Sequence, residues 1–293
     1  MSTPRFLDLP DCARAVRLTT ARGDFATLLA EPTAPKRGTA LLVPGFTGSK
    51  EDFIALLEPL AAAGFRVAAV DQRGQYETGG PADQGSYALA ELGRDIRELT
   101  AVLAADGGPV HLLGHSFGGF VVREAVLAAA PAMPWASLTM LSTGPGPIDP
   151  AEAARTKLLM DALGSMDLES IWQVMQSMDA AEDGERAEAL APEVVDFLHR
   201  RWLANIPAAL LAMGERLLSE PDRTEQLAAT SLPKLAMSGV RDYAWPVDEQ
   251  ARTAERLGAP YVVVDGAGHS PNAERPARTA AALVEFWSSV PTL

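Results

Sequence analysis

The chain has 293 residues, 47% hydrophobic and 22% charged, a balance that fits an ordinary globular protein with room for one large core. Its 38 acidic against 25 basic residues give a net charge of -13, which repels nucleic-acid phosphates and anionic lipid surfaces. The single cysteine, Cys12, excludes an intramolecular disulfide and any zinc site that needs a second thiolate.

The first segment, Met1 to Thr20, carries Asp8, Asp11, Arg14 and Arg17 and lacks the continuous apolar run of a secretion signal. The apolar stretch Val121 to Leu138 is interrupted by Arg123, Glu124, Pro131 and Pro134, too often to cross a bilayer. The expectation is a soluble, cytoplasmic protein with no nucleic-acid or membrane partner. The sequence does not encode an oligomeric state and leaves room for a homodimer.

In chain order, Ala15 to Ala30 predicts two short strands around the turn Ala21-Arg22-Gly23-Asp24. Short apolar runs then alternate with helix-length segments. Thr39 to Val43 is followed by Glu51 to Ala63, Arg66 to Val70 by Tyr87 to Ala105, and Val110 to Leu113 by Phe117 to Ala130, before a strand at Leu138 to Ser142. Strand and helix in alternation, with short apolar strands, predict an α/β fold: a mostly parallel central sheet covered by helices on both faces.

From Pro145 to Ala229 the strand signal stops and helical spacing takes over, as in Leu158, Leu159, Ala162 and Leu163. Strand rhythm returns with Lys234 to Ser238 and Tyr261 to Val264, separated by a helix over Asp248 to Leu257 and followed by one near Pro276 to Trp287. The predicted organisation is one core domain, 1–144 with 230–293, interrupted by a helical insertion over 145–229. Gly144-Pro145-Gly146-Pro147 forms the entry to the insertion and Ser231-Leu232-Pro233 the exit.

The strongest chemical signal is Gly114-His115-Ser116-Phe117-Gly118, a G-x-S-x-G pattern between a predicted strand and a predicted helix. In that context it marks a nucleophile elbow, with small residues where the turn is too tight for side chains. A serine hydroxyl needs a base, and the chain has four histidines. His111 lies in a strand, His115 adjoins the nucleophile and His199 falls in the insertion, which leaves His269 in the loop Asp265-Gly266-Ala267-Gly268 after a strand. The orienting carboxylate should follow a strand between serine and histidine. Asp242 does so and gives the order Ser, Asp, His. Asp248, a helix-capping candidate, and Asp149 remain alternatives. Backbone N–H groups of Phe117, after the nucleophile, and Phe46, in the glycine-rich loop Val43 to Ser49, are the candidate oxyanion donors.

Together these pieces resemble the α/β-hydrolase superfamily over Ala15 to Trp287, with 145–229 where members carry a helical cap. Two local details belong to the same resemblance. Pro44 stands where the family's third-strand loop usually has histidine before glycine, and Asp71-Gln72-Arg73-Gly74 looks like the family's Asp-x-Arg-Gly turn, read here as structural.

A serine at the elbow disfavours epoxide opening and halide displacement, which relatives perform through an aspartate. It implies acyl transfer on a small-molecule acyl substrate, with no metal or cofactor required. Carboxylic-ester hydrolysis leads. A thioesterase, an amidase or aminopeptidase, a carbon-carbon bond hydrolase or an acyltransferase would use the same residues, and a non-catalytic binding protein on this fold is the third class. Met160, Met166, Met175, Met178 and Met213, with Trp172 and Trp202, could line a pliable acyl site or merely pack the helices together. The acidic stretch Asp179 to Glu188 reads as a solvated face before it reads as a site for a substrate ammonium.

Overall fold

The computed structural model describes residues 2–183 and 190–291, with backbone alone over 179–183. The hairpin comes first, as β1 (Ala13–Thr20) and β2 (Gly23–Ala30). β3 (Gly38–Val43) leads through a short 3-10 turn, Lys50–Phe53, into α1 (Ile54–Ala62). β4 (Phe65–Val70), α2 (Leu89–Ala104), β5 (Val110–His115), α3 (Phe117–Ala129) and β6 (Ser137–Leu141) continue the alternation. The insertion holds α4 (Pro150–Leu163), α5 (Leu168–Asp183), α6 (Pro192–Leu203), α7 (Pro207–Ser219) and α8 (Thr224–Ala228). β7 (Lys234–Gly239), α9 (Val247–Leu257), β8 (Tyr261–Val264), α10 (Pro271–Glu274) and α11 (Pro276–Ser289) complete the chain.

The strands form one 8-stranded sheet in the order β1-β2-β4-β3-β5-β6-β7-β8. β1 and β2 run antiparallel to their neighbours, and β3 through β8 pair in parallel. Side chains alternate across each strand, so β3 sends Leu41 and Val43 to one face and Ala40 and Leu42 to the other. The first face is covered by α2, α3 and α9, through residues such as Ile96, Phe120 and Leu257. The second is covered by α1 and α11, through Leu57, Leu60 and Leu283. Central strands buried on both faces have no solvent-facing side, which is why β3 and β5 are mostly apolar and lack the polar alternation of a half-exposed strand.

Prolines open α4, α6 and α7, where the missing N–H has no intrahelical acceptor to lose. α5 and α6 gather a small core of their own around Trp172, Phe197 and Trp202. α7 and α8 instead bury Ala209, Met213, Leu217 and Leu227 in the cluster beneath α2 and α3. Among the described residues, no helix is long and apolar enough to cross a membrane.

Candidate active site

β5 ends at His115 and α3 begins at Phe117, so Ser116 carries the whole reversal of the chain, with φ 54° and ψ -123°. A non-glycine residue pays strain at positive φ, and here the turn is held by the Ser116 N–H donating to the Leu141 carbonyl at 2.9 Å. The glycines of the motif are there for space. A Cβ at Gly118 would collide with the Val43 and Pro44 carbonyls, and one at Gly114 with the Gly118 carbonyl.

The structure brings Ser116, His269 and Asp242 together although they lie on loops after β5, β8 and β7. Ser116 Oγ is 3.0 Å from His269 Nε2, and His269 Nδ1 is 2.8 Å from Asp242 Oδ1. A carboxylate only accepts, so Nδ1 carries the imidazole hydrogen and Nε2 presents its lone pair to the serine hydroxyl. Asp242 also accepts from the Ala244 and Trp245 N–H groups at 3.0 and 3.3 Å and from Gln250 Nε2 at 2.9 Å. Burial pushes its carboxyl up, but the hydrogen bonds from His269, Gln250 and Ala244 outweigh that and hold it below the ordinary carboxylate range.

The loop bearing His269 is pinned on each side. Glu274 accepts from the Gly268 N–H at 2.6 Å and from the Ser270 N–H at 2.9 Å. His115 Nε2 lies 2.8 Å from the His269 carbonyl oxygen. The Tyr243 ring stands 4.8 Å from the His269 ring, covering one flank.

The remaining histidines and carboxylates have other partners. His111 bonds Ser137 Oγ at 2.8 Å and stacks on Trp287, with burial lowering its pKa to about 4. His199 pairs with Glu169 at 2.7 Å and stacks on Trp172. Asp149 caps α4 by accepting from the Ala151 N–H at 2.8 Å. Asp248 does not cap α9, because Pro246 occupies that position; it lies in the first turn, exposed, and pairs with Arg252 at 2.7 Å.

The loop after β3 reaches Ser116 from the opposite side. A Cβ on Gly45 would stand 2.9 Å from Ser116 Cβ and 3.3 Å from its Oγ, so only glycine lets this backbone come so close. Phe46 follows directly, and Phe117 opens α3, so the Phe117 N–H has no acceptor a turn earlier. Sequence reasoning left open what holds this loop with Pro44 in place of histidine. Two glutamines do so: Gln72 Nε2 donates to the Pro44 carbonyl at 2.8 Å and Gln75 Nε2 to the Gly45 carbonyl at 2.7 Å. The turn that supplies them is itself fastened, Asp71 accepting from Lys50 N and Nζ at 2.7 and 3.0 Å, and Arg73 gripping Asp95 at 2.8 and 2.7 Å.

A cavity of about 340 Å³ opens above Ser116 and His269, bounded by Gly45 to Thr47 below and by α4 and α5 above. Met166, Met175 and Met178 line it with Trp202, Leu159 and Ile171. Trp172 packs on His199, Met213 is buried in the main core and Met160 lies against α7 at Gly214. The side chains of the acidic stretch 179–188 lie outside the described residues. Among the described residues no cluster of His, Cys, Asp and Glu is arranged to hold a metal ion.

A sequence profile of the alpha/beta hydrolase family matches residues 40–282. The chain is 26% identical to epoxide hydrolase A of Mycobacterium tuberculosis over 304 residues, covering 89% of this chain and 92% of that protein. It is 27% identical to monoacylglycerol lipase of Mycolicibacterium smegmatis over 237 residues, 78% of each. A thermophilic esterase from Thermogutta terrifontis superposes with a TM-score of 0.71 at 26% identity, covering 95% of this chain and 99% of that one. By sequence profile and by fold, this chain belongs to the alpha/beta hydrolase family and is a hydrolase.

Proposed function

We propose that the protein is a serine esterase that cleaves carboxylic esters with an apolar acyl part through an acyl-enzyme on Ser116. The observation that carries this reading is the line of contacts from Ser116 Oγ to His269 Nε2 at 3.0 Å and from His269 Nδ1 to Asp242 Oδ1 at 2.8 Å. His269 takes the hydroxyl proton as Oγ bonds to the ester carbonyl carbon. The negative charge that gathers on the carbonyl oxygen is met by the Phe117 and Phe46 N–H groups. Collapse of the adduct expels the alcohol, which leaves with the proton held on His269. Water, deprotonated by the same imidazole, then releases the acid and restores Ser116.

The helical insertion 145–229 acts in this reading as a cap, with α4 and α5 roofing the acyl site. Met166, Met175, Leu159 and Ile171 support an apolar acyl group, because flexible thioethers and branched chains fill irregular space without demanding a polar partner. The relative named for epoxide hydrolysis does not redirect the assignment. Epoxide attack by Ser116 would leave an ether, which lacks the carbonyl that water must attack.

A panel of matched p-nitrophenyl ester, thioester and anilide substrates tests the bond type. The reading expects kcat/KM highest on the esters and rising from acetate to medium-length acyl chains. An anilide or thioester rate equal to or above the ester rate overturns it.

A further inference from the structure

His115 is only 2% exposed and is the last residue of β5, next to the nucleophile, yet its Nε2 points to the far side of the site and lies 2.8 Å from the His269 carbonyl oxygen. A carbonyl oxygen only accepts, so Nε2 carries the ring hydrogen and donates it. Burial, with the His269 ring centred 5.1 Å away, lowers the pKa of His115 to about 3 and keeps the ring neutral.

The consequence lies in how an imidazole can move. His269 is gripped at Nδ1 by Asp242, and a ring held at one nitrogen can still swing the other. Nε2 stays over Ser116 only if the backbone behind the ring is fixed. Glu274 holds the N–H groups on either side of His269, and the His269 carbonyl is held by His115. β8, which carries this loop, is an edge strand of the sheet, and β6 and β7 separate it from β5. The His115 side chain is therefore a strut from the nucleophile's strand to the base's loop.

We propose that His115 is a positioning residue, which fixes the His269 backbone and thereby the reach of Nε2 to the Ser116 hydroxyl. This rests on the reading of Ser116 as nucleophile and His269 as base. A displacement of about 1 Å at such a contact costs up to about 100-fold in rate while leaving substrate binding in place.

The test compares H115Q, H115N and H115M in the full chain, by kcat and KM on a p-nitrophenyl ester, by the rate of fluorophosphonate labelling and by thermal unfolding. Glutamine carries its N–H donor about as far from the backbone as imidazole Nε2; asparagine falls short, and methionine has no donor. H115Q is expected to label and turn over within about threefold of wild type, and H115N and H115M to lose roughly 10- to 100-fold in kcat with KM within about twofold. If H115M does not fold, the contrast between H115Q and H115N carries the test. Wild-type rates in H115N, or an H115Q as slow as H115N, overturn the inference while the serine mechanism stands. A wild-type chain not labelled at Ser116 overturns that mechanism and this inference with it.

Discussion

Arg201 on α6 donates to Asp52 across 2.7 Å, and both side chains are fully buried. The pair fastens the helical insertion to the short turn that follows the Gly45 loop, and the second arm of Arg201 holds the Ser2 carbonyl at 2.8 Å. Removing one partner strands the other as a buried charge, which typically costs about 3–5 kcal/mol. R201M and D52N are each expected to lose stability on that scale in urea titrations, and the double variant D52N/R201M to lose less than their sum. Additive losses contradict a coupled pair.

The same pair gives the chain a pH dependence with a definite sign. Burial pushes the Asp52 carboxyl up to about 6, against the pull of Arg201. The folded chain therefore binds this proton more readily than the unfolded one, whose carboxylate titrates near about 3.9. The contribution of Asp52 to stability is greatest below about pH 4 and declines as pH rises through about 6. Without Arg201 the carboxyl is pushed higher still, so the stability deficit of R201M should narrow between pH 8 and pH 5. A deficit that is constant across that range contradicts the assignment.

Asp242 has the opposite sign. Its carboxyl is held low by its hydrogen bonds, so its stabilising effect is present above the unfolded value and is lost as pH falls through the folded one. D242N is expected to lose roughly 10⁴-fold in kcat/KM at neutral pH, since an amide cannot stabilise an imidazolium. Its stability deficit, followed by denaturant titration, should shrink below about pH 4.

The glutamine brace makes a prediction on the other side of the serine. Q75L leaves the Gly45 carbonyl without the donor that holds it at 2.7 Å, and G45A presses a methyl group against Ser116. Each is expected to lower kcat by roughly 100-fold with little change in KM, the pattern of a damaged oxyanion site. Steady-state kinetics on one ester checks this, and a loss confined to KM counts against it.

Much of this was legible in the sequence because it is local. The elbow is five consecutive residues, and the parallel sheet announces itself in apolar runs such as Gly38–Val43. His269 and Asp242 stood out as candidates because each lies on a loop a few residues after a predicted strand and few histidines compete. What was not legible is held by distant partners without a pattern. Nothing about Gln72 or Gln75 marks it as the support of a loop some 28 or 30 residues earlier. His115 adjoins Ser116 in sequence, but its contact lies 154 residues on. Glu274 was the nearest miss, since a carboxylate one turn past a predicted catalytic histidine is positioned to accept loop N–H groups. Which methionines meet the cavity depends on how α4 and α5 are rotated, and their spacing does not give that.

The proposed reaction requires Ser116 to be an activated nucleophile. The direct measurement is reaction of the folded protein with a fluorophosphonate probe, with the modified residue located by peptide mass spectrometry. Stoichiometric labelling at Ser116 is expected, abolished in S116A and slowed by orders of magnitude in H269A. Labelling elsewhere, or none in a folded chain, would contradict it.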